Sequence, residues 1–267
     1  MDTFPRDLSR DSVVAQGAAR AAGAYLVQRL GRAQGQKSKA ARDTQLDVDL
    51  GAEKLVLNAL HEAFPDDAIL SEEGDSPPST ASRLWIIDPL DGSFNFEHAY
   101  PLFGVAIALQ LDGITALGVL YLPTSDEMYS AIRGQGAFCN GVPIHTSSTA
   151  HLGEAIIHVS DFAFTGRPSD NQQRLLVMAA LASTVGRVRM IGTAVGDFAW
   201  LARGCADGVI MYSTWPWDVE AGGLLVAEAG GTVTRVLMPN GDSAYVGGNA
   251  SLHQSLVELV TTAPGAV

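Results

Sequence analysis

The chain has 267 residues, 47% of them hydrophobic and 17% charged, which is enough apolar material for a large core in one domain or two closely packed halves. A formal net charge of −12 leaves no basic surplus to neutralise phosphates, which argues against a general nucleic-acid binder; it fits a protein that recruits divalent cations toward an anionic substrate, and equally fits plain solubility. The two cysteines, Cys139 and Cys205, lie far apart without a metal-ligand spacing, which argues against a disulfide scaffold or a zinc site.

Met1 to Asp11 carries acids and a proline where a signal peptide needs an apolar core, and no apolar run reaches membrane-spanning length. A cytoplasmic protein without membrane segments is therefore expected. Ser9 or Asp11 is read as the cap of a helix running through the Ala-rich stretch to about Leu30, with Val14, Ala18, Ala22 and Leu26 on its apolar stripe. Gly31 to Lys39 reads as a loop bearing Lys37 and Lys39. A helix is predicted from Asp47 to Ala63, with Asp47, Asp49 and Glu53 crowding its first turns. The helix dipole accounts for one or two of these acids and does not demand three.

Pro65-Asp66-Asp67 breaks that helix, Ala68 to Leu70 reads as a strand, and Ser71-Glu72-Glu73-Gly74 ends it with adjacent carboxylates, of which one can face a site. Leu84 to Ile87 has the apolar and β-branched character of a buried strand, with Asp88 where the strand ends. Pro89 stops the ladder. The turn Pro89-Leu90-Asp91-Gly92 then brings Asp88 and Asp91 back toward one point, and Gly92 and Ser93 present a backbone N–H and a hydroxyl beside them. Two carboxylates so placed repel each other unless a cation sits between them, and an all-oxygen donor set suits Mg²⁺. A bare D-x-x-D-G is also, more simply, a turn with solvated acids.

Phe103 to Leu111, Ala116 to Tyr121 and Met128 to Ile132 read as strands, the first two joined at the hairpin signal Asp112-Gly113, and Gly134 to Gly141 as a glycine-punctuated loop. In the second half, strands at Ile156 to Ser160, Val185 to Ile191 and Val209 to Tyr212 alternate with helices at Asn171 to Leu181 and Ala194 to Ala202, an α/β layer. Trp215-Pro216-Trp217-Asp218 opens a further helix closed by Gly230-Gly231. Asp218 reads there as an N-cap or as a cation or phosphate contact at a helix N-terminus. Thr232 to Val236, Tyr245 to Gly247 and Ser251 to Thr261 follow as strand, strand and helix.

Asp88-Pro89-Leu90-Asp91-Gly92-Ser93-Phe94-Asn95-Phe96, with Glu72-Glu73 upstream and Trp217-Asp218 to Gly231 downstream, resembles the inositol monophosphatase family over nearly the whole chain. The resemblance implies an α/β layered fold, an alternating αβαβα sandwich of the sugar phosphatase type. It divides here into residues 1–146, with most of the ligands, and 147–267, with Asp218, as one catalytic unit. It also implies a homodimer that hydrolyses small phosphate monoesters with two to three Mg²⁺ and is inhibited by Li⁺. Carried over by motif, Glu72, Asp88 and the Leu90 carbonyl would hold one metal, and Asp88, Asp91 and Asp218 the second; a third would add at Glu72. Gly92 and Ser93 N–H groups would bind phosphate, and the Ser93 hydroxyl paired with Asp49 would orient the attacking water. Glu72, Asp49 and Ser93 are the expected catalytic residues, and Gly192, Thr193 and Ala194 match the substrate-facing segment.

Four departures bear on this expectation. Ser93 stands for the usual Thr and keeps its hydroxyl, and Gln45-Leu46 replaces the usual Val-Thr pair. Glu220 replaces Ala and is expected to be solvated. Met211 occupies the position of an acid that contacts substrate hydroxyls in inositol-specific relatives, and a thioether cannot replace a carboxylate acceptor. Inositol monophosphate or a related polyol or sugar phosphate is the first expectation; fructose bisphosphate, histidinol phosphate, 3′-phosphonucleotides and NADP are alternatives. So is a regulatory protein of this fold that acts through a protein partner.

Overall fold

Apolar residues recur on both faces of the central strands, so each sheet needs a cover on two sides. The computed structural model describes residues 7–31, 37–40, 43–45, 47–74, 81–163 and 168–263. In chain order, α1 (Ser9–Val27) leads to a ribbon of β1 (Lys37–Ala40) and β2 (Asp43–Gln45), and then to α2 (Asp47–Ala63). Next come β3 (Ala68–Ser71), β4 (Arg83–Asp91), the short α3 (Ser93–Glu97), β5 (Gly104–Leu111), β6 (Ile114–Leu122), β7 (Glu127–Ile132), β8 (Ala137–Cys139) and β9 (Val142–Ile144). Strands β3 to β9 form one sheet in sequential order, with β3 parallel to β4 and every later pair antiparallel. The second sheet is built from β10 (Ile156–Val159), β11 (Arg187–Arg189), β12 (Gly208–Met211), β13 (Thr232–Leu237) and β14 (Ser243–Gly248), in the order β11-β10-β12-β14-β13. Its helices are α4 (Pro168–Thr184), α5 (Ala194–Ala202), α6 (Pro216–Glu228) and α7 (His253–Thr262).

The strand alternation decides the layers. Trp85, Ile87, Val105 and Ile107 point to one face of the large sheet and bury Ala18, Ala22 and Leu26 of α1 with Val56 and Leu60 of α2. Their neighbours Ile86, Ala106, Ala108 and Leu120 point to the other face, where α5 and α6 form a shared middle layer against Val209 and Met211 of the small sheet. The outer face of the small sheet is closed by α4 and α7 through Val177, Leu181, Leu256 and Val260. The result is an αβαβα sandwich. The middle layer packs closely because the sheet residues beneath it are small: a Cβ at Gly118 would lie 2.6 Å from the Ala221 carbonyl oxygen.

Several local expectations are corrected. Neither Ser9 nor Asp11 caps α1; its first residue outside the helix is Leu8, and the Ser9 N–H goes to Asp7 Oδ1 at 2.9 Å. Asp11 is instead buried against Arg83, which also holds Asp67 through Nε at 2.8 Å. β4 does not stop at Asp88 but runs on to Asp91. Its register shifts between those residues, so Pro89, which lacks an N–H to give, sits in a bulge. The Gly134 to Gly141 stretch contains β8, and α4 is longer at both ends than its apolar period indicates. At Asp112-Gly113 the hairpin is as expected, both residues having positive φ, 49° and 79°. Lys37 and Lys39 lie on β1, not in a loop; their side chains fall outside the described residues, as does Leu46. Among the described residues no helix is long and apolar enough to cross a membrane.

Candidate active site

The parallel pairing of β3 with β4 sets Ser71 beside Ile87, so Glu72 leaves β3 at the level where Asp88 begins. Beyond the bulge, the Leu90 N–H turns back to Asp88 Oδ1 at 3.0 Å, fixing that carboxylate two residues upstream. Gly92 then takes φ +81°, and a side chain there would also press on the Gly192 and Leu102 carbonyls at 3.1 and 3.2 Å, so only glycine fits. This left-handed residue starts α3, a helical turn that follows directly on the predicted Pro89 to Gly92 turn.

Asp91 is pinned from the other half of the chain. Thr193 Oγ1 donates to its Oδ2, and the Ala194 and Val195 N–H groups at the start of α5 donate at 3.1 and 2.8 Å. Thr193 caps the same helix by accepting from the Gly196 N–H at 3.3 Å. Asn95 of α3 completes the joint, its amide donating to the Leu102 and Ile191 carbonyls at 2.8 Å each and to Gly192 at 3.3 Å. Thus Gly192, Thr193 and Ala194, expected to face substrate, line the cleft while also holding α3 and Asp91 in place. The positioning role of Asn95 was not read from the sequence, although the residue stands inside the motif that drew attention.

Asp218 arrives on the first turn of α6. It is not the N-cap; Trp215 holds that position, Pro216 follows it, and the Asp218 N–H returns to the Trp215 carbonyl at 3.3 Å. Asp88, Asp91 and Asp218 each offer an oxygen within 4.8 Å of the others. Burial foremost, then the charges of Glu72, Asp91, Asp218 and Asp49, hold Asp88 well above the usual carboxylate range. Asp91 is raised by burial against the opposing pull of Thr193 and the α5 N–H groups. Asp218 is pushed up to about 7 by burial, a bond from Ser213 working against the rise. Glu72 keeps solvent access, yet protein surrounds its carboxyl on most sides. Burial and then Asp218, Asp49, Glu73 and Asp91 raise it to about 8. Asp49 is buried on the first turns of α2, where its charge reaches Glu72 and Asp88, and Ser93 is half-buried at the start of α3.

A cleft of about 470 Å³ opens from Asp91 and Asp218 past Thr193 and Asp197 to Met211, Tyr212 and Trp215. Asp197 is buried beneath it and takes a hydrogen bond from His158 Nδ1 at 2.9 Å; burial raises its carboxyl to about 6 although that bond opposes the rise. His158 is therefore a buried structural partner of the cleft floor, a role that spacing alone did not mark. Glu220 is not simply solvated as expected, since it accepts from the Thr115 hydroxyl and so ties α6 to β6.

Against known proteins, residues 7–263 match the profile of the inositol monophosphatase family. The chain is 31% identical over 229 residues to a fructose-1,6-bisphosphatase/inositol-1-monophosphatase of Thermotoga maritima, covering 84% of this chain and 85% of that protein. It is 36% identical over 227 residues to the Nus factor SuhB of Pseudomonas aeruginosa, covering 83% of each. The crystal structure of the extragenic suppressor protein suhB from Bartonella henselae superposes with a TM-score of 0.88 at 31% identity, covering 96% of this chain and 100% of that one.

Proposed function

The chain belongs to the inositol monophosphatase family, and from that premise we propose that it hydrolyses a small phosphate monoester using Mg²⁺ held by Glu72, Asp88, the Leu90 carbonyl, Asp91 and Asp218. The observation that carries the reading is the convergence of three carboxylates within 4.8 Å in a largely buried setting. Such a group is unfavourable without a cation, and its all-oxygen chemistry matches a hard divalent ion rather than zinc or copper. When bound, the metal supplies a water of lowered pKa and charge to stabilise the phosphoryl transition state and leaving oxygen.

The chain's own groups supply positioning. Asp88, near enough to be raised by the charges of Glu72, Asp91 and Asp218, would serve both metal positions. Thr193, Ala194 and Val195 aim Asp91 and favour its ionised form against the rise that burial causes, since each donates to its carboxylate. The Gly92 and Ser93 N–H groups bind phosphate oxygens, and the Ser93 hydroxyl with Asp49 orients the attacking water. No covalent nucleophile is needed. Catalysis here is positioning and electrostatic stabilisation. We also expect the enzyme to work as a cytoplasmic homodimer.

The reading is tested by phosphate release from inositol 1-phosphate, fructose 1,6-bisphosphate, histidinol phosphate, adenosine 3′-phosphate and NADP, with Mg²⁺ and with EDTA. Mg²⁺-dependent turnover of any one supports it, and inertness toward all would overturn it. The similarity to a protein named as a Nus factor favours a second reading, a regulatory protein that acts through a partner. The complete carboxylate group weighs for catalysis.

A further inference from the structure

The cleft has two unlike ends. One is the acid group. The other is built from Met211, Tyr212, Ala163 and Trp215, with Arg174 as its cation. Four of the polar side chains between the ends are already engaged, Thr193 with Asp91, Asp197 with His158, Ser160 Oγ with the Tyr212 N–H at 2.9 Å, and Ser213 Oγ with the Trp215 N–H at 3.3 Å, and Asp161 and Thr214 line the cleft beside them. Met211 is 3% exposed and offers a thioether where a hydroxyl-rich leaving group needs strong acceptors. At the Met211 and Trp215 end, the wall therefore offers a polyol few acceptors beyond Asp161 and Thr214.

It is well made for a flat ring. Trp215 and Trp217 stack with ring centroids 4.9 Å apart and planes within 6°. Trp217 packs against the central apolar core, which anchors the pair, whereas Trp215 is 61% exposed. An exposed indole lining a cleft, stacked on a half-buried partner that packs against the core, is a preorganised stacking surface, so little ordering is required when a ligand ring settles on it. It stands one helical turn from Asp218, whose N–H is bonded to the Trp215 carbonyl at 3.3 Å. A phosphate at the acids and a ring on Trp215 can therefore belong to one small molecule. At the same end of the cleft the Arg174 guanidinium sits over the ring of the buried Tyr212, 4.6 Å from ring centroid to Cζ, which places a cation beside the stacking surface.

Resting on the phosphatase reading, we propose that the substrate is a phosphomonoester whose alcohol carries a planar heteroaromatic ring, and that Trp215 is the residue that selects it by stacking. The test compares kcat/KM for adenosine 3′-phosphate and histidinol phosphate with that for inositol 1-phosphate and glycerol 2-phosphate, in the native enzyme, Trp215→Ala and Trp215→Phe. The two ring-bearing esters separate a purine from an imidazole. A preference for at least one ring-bearing ester is expected, with the ratio of ring-bearing to ring-free kcat/KM falling about tenfold in Trp215→Ala, mostly through KM, and largely restored in Trp215→Phe. Binding is read separately, with EDTA present so that no turnover occurs, as quenching of tryptophan fluorescence by adenosine, expected to be lost in Trp215→Phe. Mg²⁺-dependent hydrolysis with no ring preference, or with a ratio that Trp215→Ala leaves within twofold, overturns the inference and keeps the phosphatase reading. Trp215-dependent quenching without hydrolysis of any ester keeps the stacking site and overturns the phosphatase reading.

Discussion

Raising the pH of the metal-free protein should weaken it, and Mg²⁺ should reverse the loss. Asp218 is the group from which the magnitude can be worked. Its carboxyl rises from 3.8 to about 7 on folding, with burial as the main cause. At about 1.4 kcal/mol for each tenfold change in acidity, this corresponds to roughly 4 kcal/mol, and partial solvent access reduces it to about 2 kcal/mol. Because the folded value lies above the unfolded one, the contribution is fully present below about pH 4 and is lost as pH rises through about 7. Asp88 and Asp91 shift in the same direction. The exposed Asp7 and Asp126 are lowered instead and titrate below this window. Thermal unfolding in EDTA at pH 5, 6, 7 and 8 should therefore show a Tm falling by about 4 to 8 °C. Saturating Mg²⁺ should restore it most at pH 8, where the carboxylates carry the fewest protons in this range. Asp218→Asn removes the charge and should flatten the metal-free profile while shrinking the Mg²⁺ gain. A metal-free Tm that stays level or rises from pH 5 to 8, or an Asp218→Asn protein with the native pH profile, would refute the argument that the acids oppose one another until a cation joins them.

Asp91→Asn and Asp218→Asn should each abolish turnover, by about a thousandfold or more, while the far-UV circular dichroism spectrum stays native; full activity in both would remove the metal assignment. Ser93→Thr should keep activity within a few-fold, and Ser93→Ala should lower kcat about a hundredfold if the hydroxyl orients water, as steady-state kinetics would show. Far from the site, Arg83→Met leaves the buried carboxyls of Asp11 and Asp67 without their cation. It should cost about 3 to 5 kcal/mol in urea unfolding, and a loss below 1 kcal/mol would mean that the pair is dispensable.

The sequence by itself determined the parts whose signals are local. α2 begins and ends at Asp47 and Ala63 as read, because acids favour its first turn and Pro65 follows its last. α5 runs from Ala194 to Ala202 as read, opened by the Thr193 hydroxyl. The convergence of Asp88 and Asp91 was legible, because two acids, a proline and a glycine within six residues turn the chain back on itself. What only the tertiary structure decided depends on pairing across the chain. The bulge at Pro89 exists because β4 must stay in register with β5 on both sides of it. α3 and β8 are too short to be stable alone and form because neighbouring elements satisfy them. Asp218 reaches Asp88 because α6 lies in the layer between the two sheets. Asp91 is aimed by N–H groups from α5, and Trp215 becomes a cleft wall because Trp217 is anchored in the core. Local sequence sets what a segment favours; which distant carboxylates share one buried space is set by packing, since only the folded layers bring their elements together.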